Sequence, residues 1–538
     1  DISADSLHGH LTKLQTFQTR HVYSDTVSLT TGIGAARRWV YSRFQQFAAD
    51  NENRLIASYM QFDWLAGACG DGEFRNIVAV LPGWDTTDKS VIIFEGHIDS
   101  RCAAACDITC FAPGIEDNGS GTALVIELAR TLSRYSFKHT LVFVVTVGEE
   151  LGLYGAKAFS KYVEDNNIEI KAVQNNDVIG GITCGATSSP PSCPFLGHID
   201  STHVRIFSKP GTTSGGYARF TQLVYQEKLL PHVNVPMTVR VMNQEDRTGR
   251  GGDHQPFTAK GYTAIRFTAQ NEHGDGTGTP PDRTHTADDV VGIDTDADGI
   301  IDSFYVDFNY LKRNAVINAV VAKIADLGPE IPSFSITNNT SGIMIQITGQ
   351  TQYSAYRVHA REASNSFSID SLKIYRFSDT LAFMIPGIES GKAYYISVAS
   401  VDSFGMTSPF STESSLAIAS VSTATAPADP LPYFFTCPNG INEFQNSMEQ
   451  TISLRCIPNP TSGRTRITVG LKKVIHSGVA EIVIQDVSGK IIFRKGIELN
   501  TLVNELSFDG TQYATGIYIY SLVLDGAVLR SEKLSLVE

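Results

Sequence analysis

The chain has 538 residues, 42% of them hydrophobic and 18% charged, with a formal net charge of -13; that is the composition of a folded globular protein long enough for several hydrophobic cores. The negative charge argues against nucleic acid or an anionic membrane as the main partner. No apolar run approaches the roughly 20 residues a membrane-spanning helix needs, so no membrane span is expected.

The first residue is Asp1 and no basic-then-apolar leader precedes the first amphipathic stretch, which reads as a secretory signal already removed or left out. Helical periodicity follows in Leu11, Leu14 and Phe17, then in Ala36, Trp39, Val40, Phe44 and Phe47. From about 75 to 330 short Val, Ile and Phe runs alternate with amphipathic segments. Strands are predicted at 76–81, 90–96, 139–147, 168–175, 203–207, 237–242 and 263–268, and helices at 121–135, 154–164, 217–229 and 304–327. This predicts the α/β class, a mostly parallel mixed sheet with helices on both faces, over a catalytic domain at 1–328. Two small all-β sandwich modules are expected at 331–421 and 456–538, joined by a Pro, Ala and Thr rich linker at 422–455.

Of the eight cysteines, several lie close together: Cys102, Cys106 and Cys110, then Cys184 with Cys193, then Cys437 with Cys456. Such clusters read as loop staples in an oxidising compartment. Thiol ligation of zinc is the rival reading, weakened by the lack of paired Cys-x-x-Cys motifs.

In a sheet of this kind ligands sit beyond the carboxyl ends of the strands. One strand ends in Gly96-His97-Ile98-Asp99, which sends His97 and Asp99 to the same side, with Asp99 placed to orient the imidazole. A surface His beside a capping Asp would explain this pair alone. Asp117 lies in the glycine-rich turn 114–121 before a helix, where helix capping is the bland alternative. Glu149 and Glu150 follow a buried strand; adjacent side chains diverge, so one can bind metal while the other handles protons. Asp177 follows a further strand, and His285 lies in Thr284-His285-Thr286-Ala287-Asp288-Asp289. Two histidines and three carboxylates suit a pair of divalent ions, zinc first.

These motifs, in this order, resemble the dizinc aminopeptidase family, whose relatives include glutamate carboxypeptidases and glutaminyl cyclases. The resemblance covers about the first 327 residues. It implies His97 and Asp177 on one zinc, Glu150 and His285 on the other, Asp117 bridging both, and Glu149 as general base; Asp99, as the orienting partner of His97, is counted with Glu149 among the catalytic residues. The implied reaction is hydrolysis of the N-terminal peptide bond of peptides with a free N-terminus, by a hydroxide held between the two Zn2+ ions. His254, in Asp253-His254-Gln255-Pro256-Phe257, is a rival fifth ligand. A glutaminyl cyclase or glutamate carboxypeptidase could use nearly the same ligands. A non-catalytic surface binding protein on a dead peptidase fold predicts lost ligands, and all five are present with the base.

Three further features stand apart. Asp294, Asp296, Asp298 and Asp302 with Gly299 match the front of a calcium loop, although Tyr305 stands where a Glu would close it, so Ca2+ competes with a solvated acidic turn. The module at 331–421 resembles a fibronectin type III domain through 385–395. The last stretch resembles the C-terminal sorting domain of type IX secretion substrates through Pro458-Asn459-Pro460, 486–490 and Gly516-Ile517-Tyr518. That implies delivery through the periplasm to the bacterial surface or medium, with the secretion machinery as partner.

Overall fold

The computed structural model describes all residues except 188–191, 275–277, 340–341, 350–351, 365–372, 379, 386–387, 390, 418–451, 472–473, 475–478, 487–489, 525–526 and 538. The predicted linker and Cys437 therefore lie outside the described residues, as do parts of the turns at 385–395 and 486–490. The chain forms two compact units, Asp1–Asp429 and Pro430–Glu538.

The first unit is built on an eight-stranded sheet in the order β1-β2-β4-β3-β5-β8-β6-β7. Its strands are β1 (Ile56–Gly67), β2 (Gly70–Leu81), β3 (Val91–His97), β4 (Thr140–Thr146), β5 (Ile170–Asn176), β6 (His203–Ser208), β7 (Thr238–Val241) and β8 (Ala264–Ala269). The central run β4-β3-β5-β8 is parallel, β6 and β7 are parallel, and β1-β2, β2-β4 and β6-β8 are antiparallel. A β3 buried along its whole length explains why it reads as an unbroken Val-Ile-Ile-Phe run.

The helices are α1 (Ala4–Gln15), α2 (Gly32–Asp50), α3 (Ser120–Leu132), α4 (Tyr154–Asp165), α5 (Thr213–Val224), α6 (Gln255–Ala259) and α7 (Phe308–Leu327). On one face Val91, Ile93, Val142, Val144 and Val173 pack against Ala156, Phe159 and Val163 of α4 and Phe257 of α6. Alternation along the strands turns Ile92, Phe94 and Phe143 to the other face, which α3 covers with α1 and α7 behind it. Both outer helices are capped, α1 by Ser3 accepting from Ser6 N at 3.2 Å and α7 by Asp307 accepting from Tyr310 N at 2.8 Å.

Two short strands, β9 (Gly292–Ile293) and β10 (Ser303–Phe304), pair around the acidic loop. Two antiparallel sheets then follow. One is β11 (Phe334–Asn339), β12 (Gly342–Ile347) and β15 (Ala382–Ile385). The other is β14 (Lys373–Ser378), β13 (Ala355–Glu362), β16 (Ala393–Val401) and β17 (Ser414–Ala417). They share a core of Ile343, Ile345, Tyr356, Val358, Tyr394 and Ile396.

This β region is joined to the α/β sheet layer by buried charge. Glu413 faces Arg219 of α5 at 3.2 Å and Arg361 of β13 at 2.8 Å, and all three side chains are nearly inaccessible. Glu413→Ala would strand two buried guanidinium groups, so the first unit should lose about 3–5 kcal/mol of stability in a denaturant melt. An unchanged midpoint would show that the clamp contributes nothing net.

The second unit holds two further antiparallel sheets. One contains β18 (Ile452–Ile457), β19 (Arg464–Leu471) and β22 (Val503–Asp509). The other contains β21 (Ile491–Gly496), β20 (Ala480–Asp486), β23 (Gly516–Leu524) and β24 (Ala527–Leu536). Ile467, Val469, Ile482, Leu522 and Leu534 lie in its core.

Candidate metal centre

Every residue singled out at a strand end reaches one site. β3 ends at His97, β5 is followed by Asp177, and the turn after β4 carries Glu149 and Glu150. Asp117 projects from the turn before α3. That turn is set by contacts of its neighbours. Asn118 donates through Nδ2 to the Asn176 carbonyl at 2.8 Å and accepts from Gly121 N at 2.8 Å. The Asp289 carboxylate takes the N–H groups of Glu116 and Asp117 at 2.8 and 3.1 Å. Gly121 is required there, because a Cβ would come within 2.0 Å of the Asn176 carbonyl oxygen. His285 arrives from a loop and has a left-handed backbone (φ 59°), a costly conformation for a branched ring side chain that is tolerated where the surroundings impose it.

The ligand-type atoms form two groups, His97 with Glu149 and Asp177, and Asp117 with Glu150 and His285; within each group they lie within 4.8 Å of one another. Asp117 links the two. Its Oδ1 lies 3.3 Å from His97 Nε2 and its Oδ2 lies 3.3 Å from His285 Nε2. His97 Nε2 also faces Asp177 Oδ1 at 3.5 Å, and His285 Nε2 faces Glu150 Oε2 at 2.9 Å. Adjacent Glu149 and Glu150 diverge to opposite groups, as their neighbouring positions require.

His97 Nδ1 lies 3.1 Å from the Asp99 carbonyl and 3.6 Å from its carboxylate, so the carbonyl is the nearer acceptor. A proton held there leaves Nε2 as a donor to a cation. The Asp99 carboxylate instead accepts the N–H groups of Glu149 and Glu150 at 3.3 and 3.2 Å, tying the two strand ends together.

The electrostatics fit a missing positive charge. Burial opposes charge on His97, yet Asp117, Asp177 and Asp99 hold its imidazole well above the usual histidine range. Burial likewise opposes ionisation of Asp117, yet the two histidines hold it well below the usual carboxylate range. Burial drives Glu149 well above that range. His97 Nε2, Glu150 Oε1 and Asp177 Oδ1 are buried and make no hydrogen bond among the described residues. Nitrogen and carboxylate donors packed this way around unsatisfied atoms are what divalent zinc binds.

Other expectations resolve differently. His254 is buried outside both groups, with Nε2 2.8 Å from the Glu245 carbonyl. Cys69–Cys106, Cys102–Cys110 and Cys184–Cys193 form disulfides, which removes those six thiols as zinc ligands. Asp294, Asp296 and Asp302 gather on the surface, whereas the Asp298 carboxylate accepts from Ile300 N at 2.8 Å and is not in that group.

Three arginines escaped the sequence reading. Arg266 holds Asp177 at 3.0 Å and Asp246 at 3.2 Å. Arg20, fully buried, donates to the carbonyls of Ile98, Pro113 and Gly114 and so pins the loops behind Asp99 and Asp117. Arg101 lies 3.0 Å from Glu150. No local pattern announces such pairs, because even the shortest of them, Arg266 with Asp246, spans 20 residues.

A mixed α/β sheet gathers at its strand ends two histidine and carboxylate groups that could each hold a metal ion. Residues 76–305 match the model of peptidase family M28, and residues 455–534 match that of the secretion system C-terminal sorting domain. A probable zinc metalloprotease of Leptosphaeria maculans is 29% identical, covering 68% of this chain and 85% of that protein. Another from Pyrenophora tritici-repentis is 32% identical, covering 50% and 64%. Among solved structures, the LapA aminopeptidase of Legionella pneumophila is 18% identical with a TM-score of 0.43, covering 60% of this chain and 72% of that one. The chain thus carries a stretch that matches peptidase family M28, followed by one that matches a secretion system C-terminal sorting domain.

Proposed function

We propose that this is an exported exopeptidase with two zinc ions that releases N-terminal residues from peptides. The observation that carries the two-ion reading is Asp117, whose two oxygens face His97 and His285 at equal distance. His97 and Asp177 would hold one ion and Glu150 and His285 the other, with Asp117 shared between them. Bound zinc supplies Lewis acidity, polarising a substrate carbonyl and lowering the pKa of water. Glu149 accepts the proton of the attacking water and passes it to the leaving amine. Asp99 sets the orientation of His97, and Arg266 keeps Asp177 turned toward it.

Cleavage from the amino terminus rests on the resemblance of the motifs. The two-sheet region around Tyr394 acts as a fibronectin type III-like spacer, and the sorting domain addresses the chain to the secretion machinery. The exposed loop at 294–302 takes calcium through Asp294, Asp296 and Asp302.

Metal analysis of the purified chain should find two zinc ions and, in calcium buffer, a calcium ion lost on mutating Asp296. A peptide with a free N-terminus should be shortened from that end and its N-acetylated form spared. Ammonia from an N-terminal glutaminyl peptide, or glutamate from a C-terminal glutamyl one, would replace this reading with a cyclase or a carboxypeptidase. A zinc-free, inert chain would make it a binding protein.

A further inference from the structure

We infer that Arg101 reads a carboxylate on the substrate, so that preferred substrates carry an acidic group beside the scissile amide. This deepens the hydrolase reading above and rests on it for the position of the scissile bond.

Arg101 follows the His97-x-Asp99 strand end and stands at the open side of the centre. Arg101, Asp117, Glu149 and Glu150 are partly exposed, whereas His97, Asp177 and His285 are buried. Its Nε donates to Glu150 Oε2 at 3.0 Å and its Nη1 to the Cys102 carbonyl at 3.1 Å. The Nη2 donors make no hydrogen bond among the described residues, and the side chain is 18% exposed. A guanidinium has five donors in a planar fork that matches a carboxylate, so the unused part of this fork is a built acceptor site.

The other arginines near the centre are not available in this way. Arg266 lies between Asp177 and Asp246, and Arg247 between Asp246 and Glu272. Arg101 has Glu150 alone. Cations bound at the centre would engage Glu150, the carboxylate that faces Arg101 at 3.0 Å, and so leave more of the charge of Arg101 to attract an anion and repel a cationic side chain at the mouth.

The position is also rigid. Cys102–Cys110 and Cys69–Cys106 tie down the loop that follows Arg101. Ser100 Oγ donates to the Ala112 carbonyl at 2.7 Å and accepts from Arg20 N at 3.1 Å. His21 Nε2 lies 2.8 Å from the Ala105 carbonyl. A donor fixed before the ligand arrives loses little freedom on binding it.

The carboxylate can belong to an acidic first side chain or to the chain terminus of a dipeptide. Zinc-loaded full-length protein is assayed with Glu-Phe-amide, Leu-Phe and Leu-Phe-amide, which carry the first, the second and neither. One of the first two should exceed Leu-Phe-amide in kcat/KM by about 10- to 100-fold, the effect of a charge-assisted hydrogen bond, and which one does so names the source. In Arg101→Gln that ratio should collapse toward one, and Arg101→Lys should keep part of it. Calorimetric titration with glutarate and with the neutral glutaramide gives a reading independent of turnover. Arg101→Gln should weaken glutarate at least tenfold more than glutaramide. Equal kcat/KM for the three substrates in the native chain, or a ratio that Arg101→Gln leaves unchanged, overturns the inference and leaves Arg101 as a prop for Glu150. Absent turnover of every peptide together with an Arg101-dependent glutarate preference sinks the peptidase reading and keeps the anion site.

Discussion

Glu149→Gln should lower kcat by about 10²- to 10⁴-fold, the range expected when a positioned general base is lost, while both zinc ions stay bound. The substitution keeps volume and shape in a packed site and removes the capacity to take up a proton. Burial raises the Glu149 carboxyl, and the neighbouring carboxylates of Asp177, Asp253 and Glu150 add to that while His97 opposes it. A base raised in this way retains a transferred proton more readily than an exposed glutamate. Its position makes the experiment informative in a second respect, because Glu149 lies in one group with His97 and Asp177. Unchanged zinc content with lost turnover assigns it proton transfer. Loss of one ion assigns it ligation instead, and full activity in the variant removes the proposed base.

The parts of this site that were legible in the sequence are those that parallel strands place automatically. Side chains at the carboxyl ends of β3, β4 and β5 must converge, so His97, Glu149, Glu150 and Asp177 could be read as one cluster from the strand pattern alone. His285 could not, because it comes from a loop with a left-handed backbone, and only its Thr-x-x-Asp context marked it. β1 was missed because it is an edge strand with no fully buried side chain, and burial is what writes a strand into a sequence. The start of α5 was placed four residues late, since Gly215-Gly216 argues against a helix. In the fold Gly216 is needed for another reason: a Cβ there would come within 2.0 Å of the Phe410 carbonyl, where the β region packs onto the helix. The clustered cysteines read as loop staples with their connectivity open, and Cys69 lay outside those clusters, since its pairing with Cys106 spans 37 residues and leaves no local sign.

Asp117→Ala should strip both metal positions at once and reduce hydrolysis to that of the zinc-free chain, a larger effect than losing any other single ligand. The reason is geometric. When Asp117 is lost, His97 and Asp177 keep two donors on one side of the centre, and Glu150 and His285 keep two on the other. Asp117 nonetheless faces both histidines at 3.3 Å, and without it two imidazoles and three carboxylates lose the anion that lies between them. Loss of an outer partner of a ligand costs roughly 10- to 100-fold in metal affinity, and removal of a ligand shared by two ions should exceed that at each. Metal bound to the native state alone also stabilises it by mass action, so the variant should melt lower than the native chain in zinc buffer and at the same temperature as the native chain in chelator. Asp177→Ala is the control: Asp177 faces His97 and belongs to one group, so the variant should release one ion while the Asp117, Glu150 and His285 group stays filled. Retention of two zinc ions per chain by Asp117→Ala would mean that the two groups bind independently, and the bridged centre would have to be abandoned.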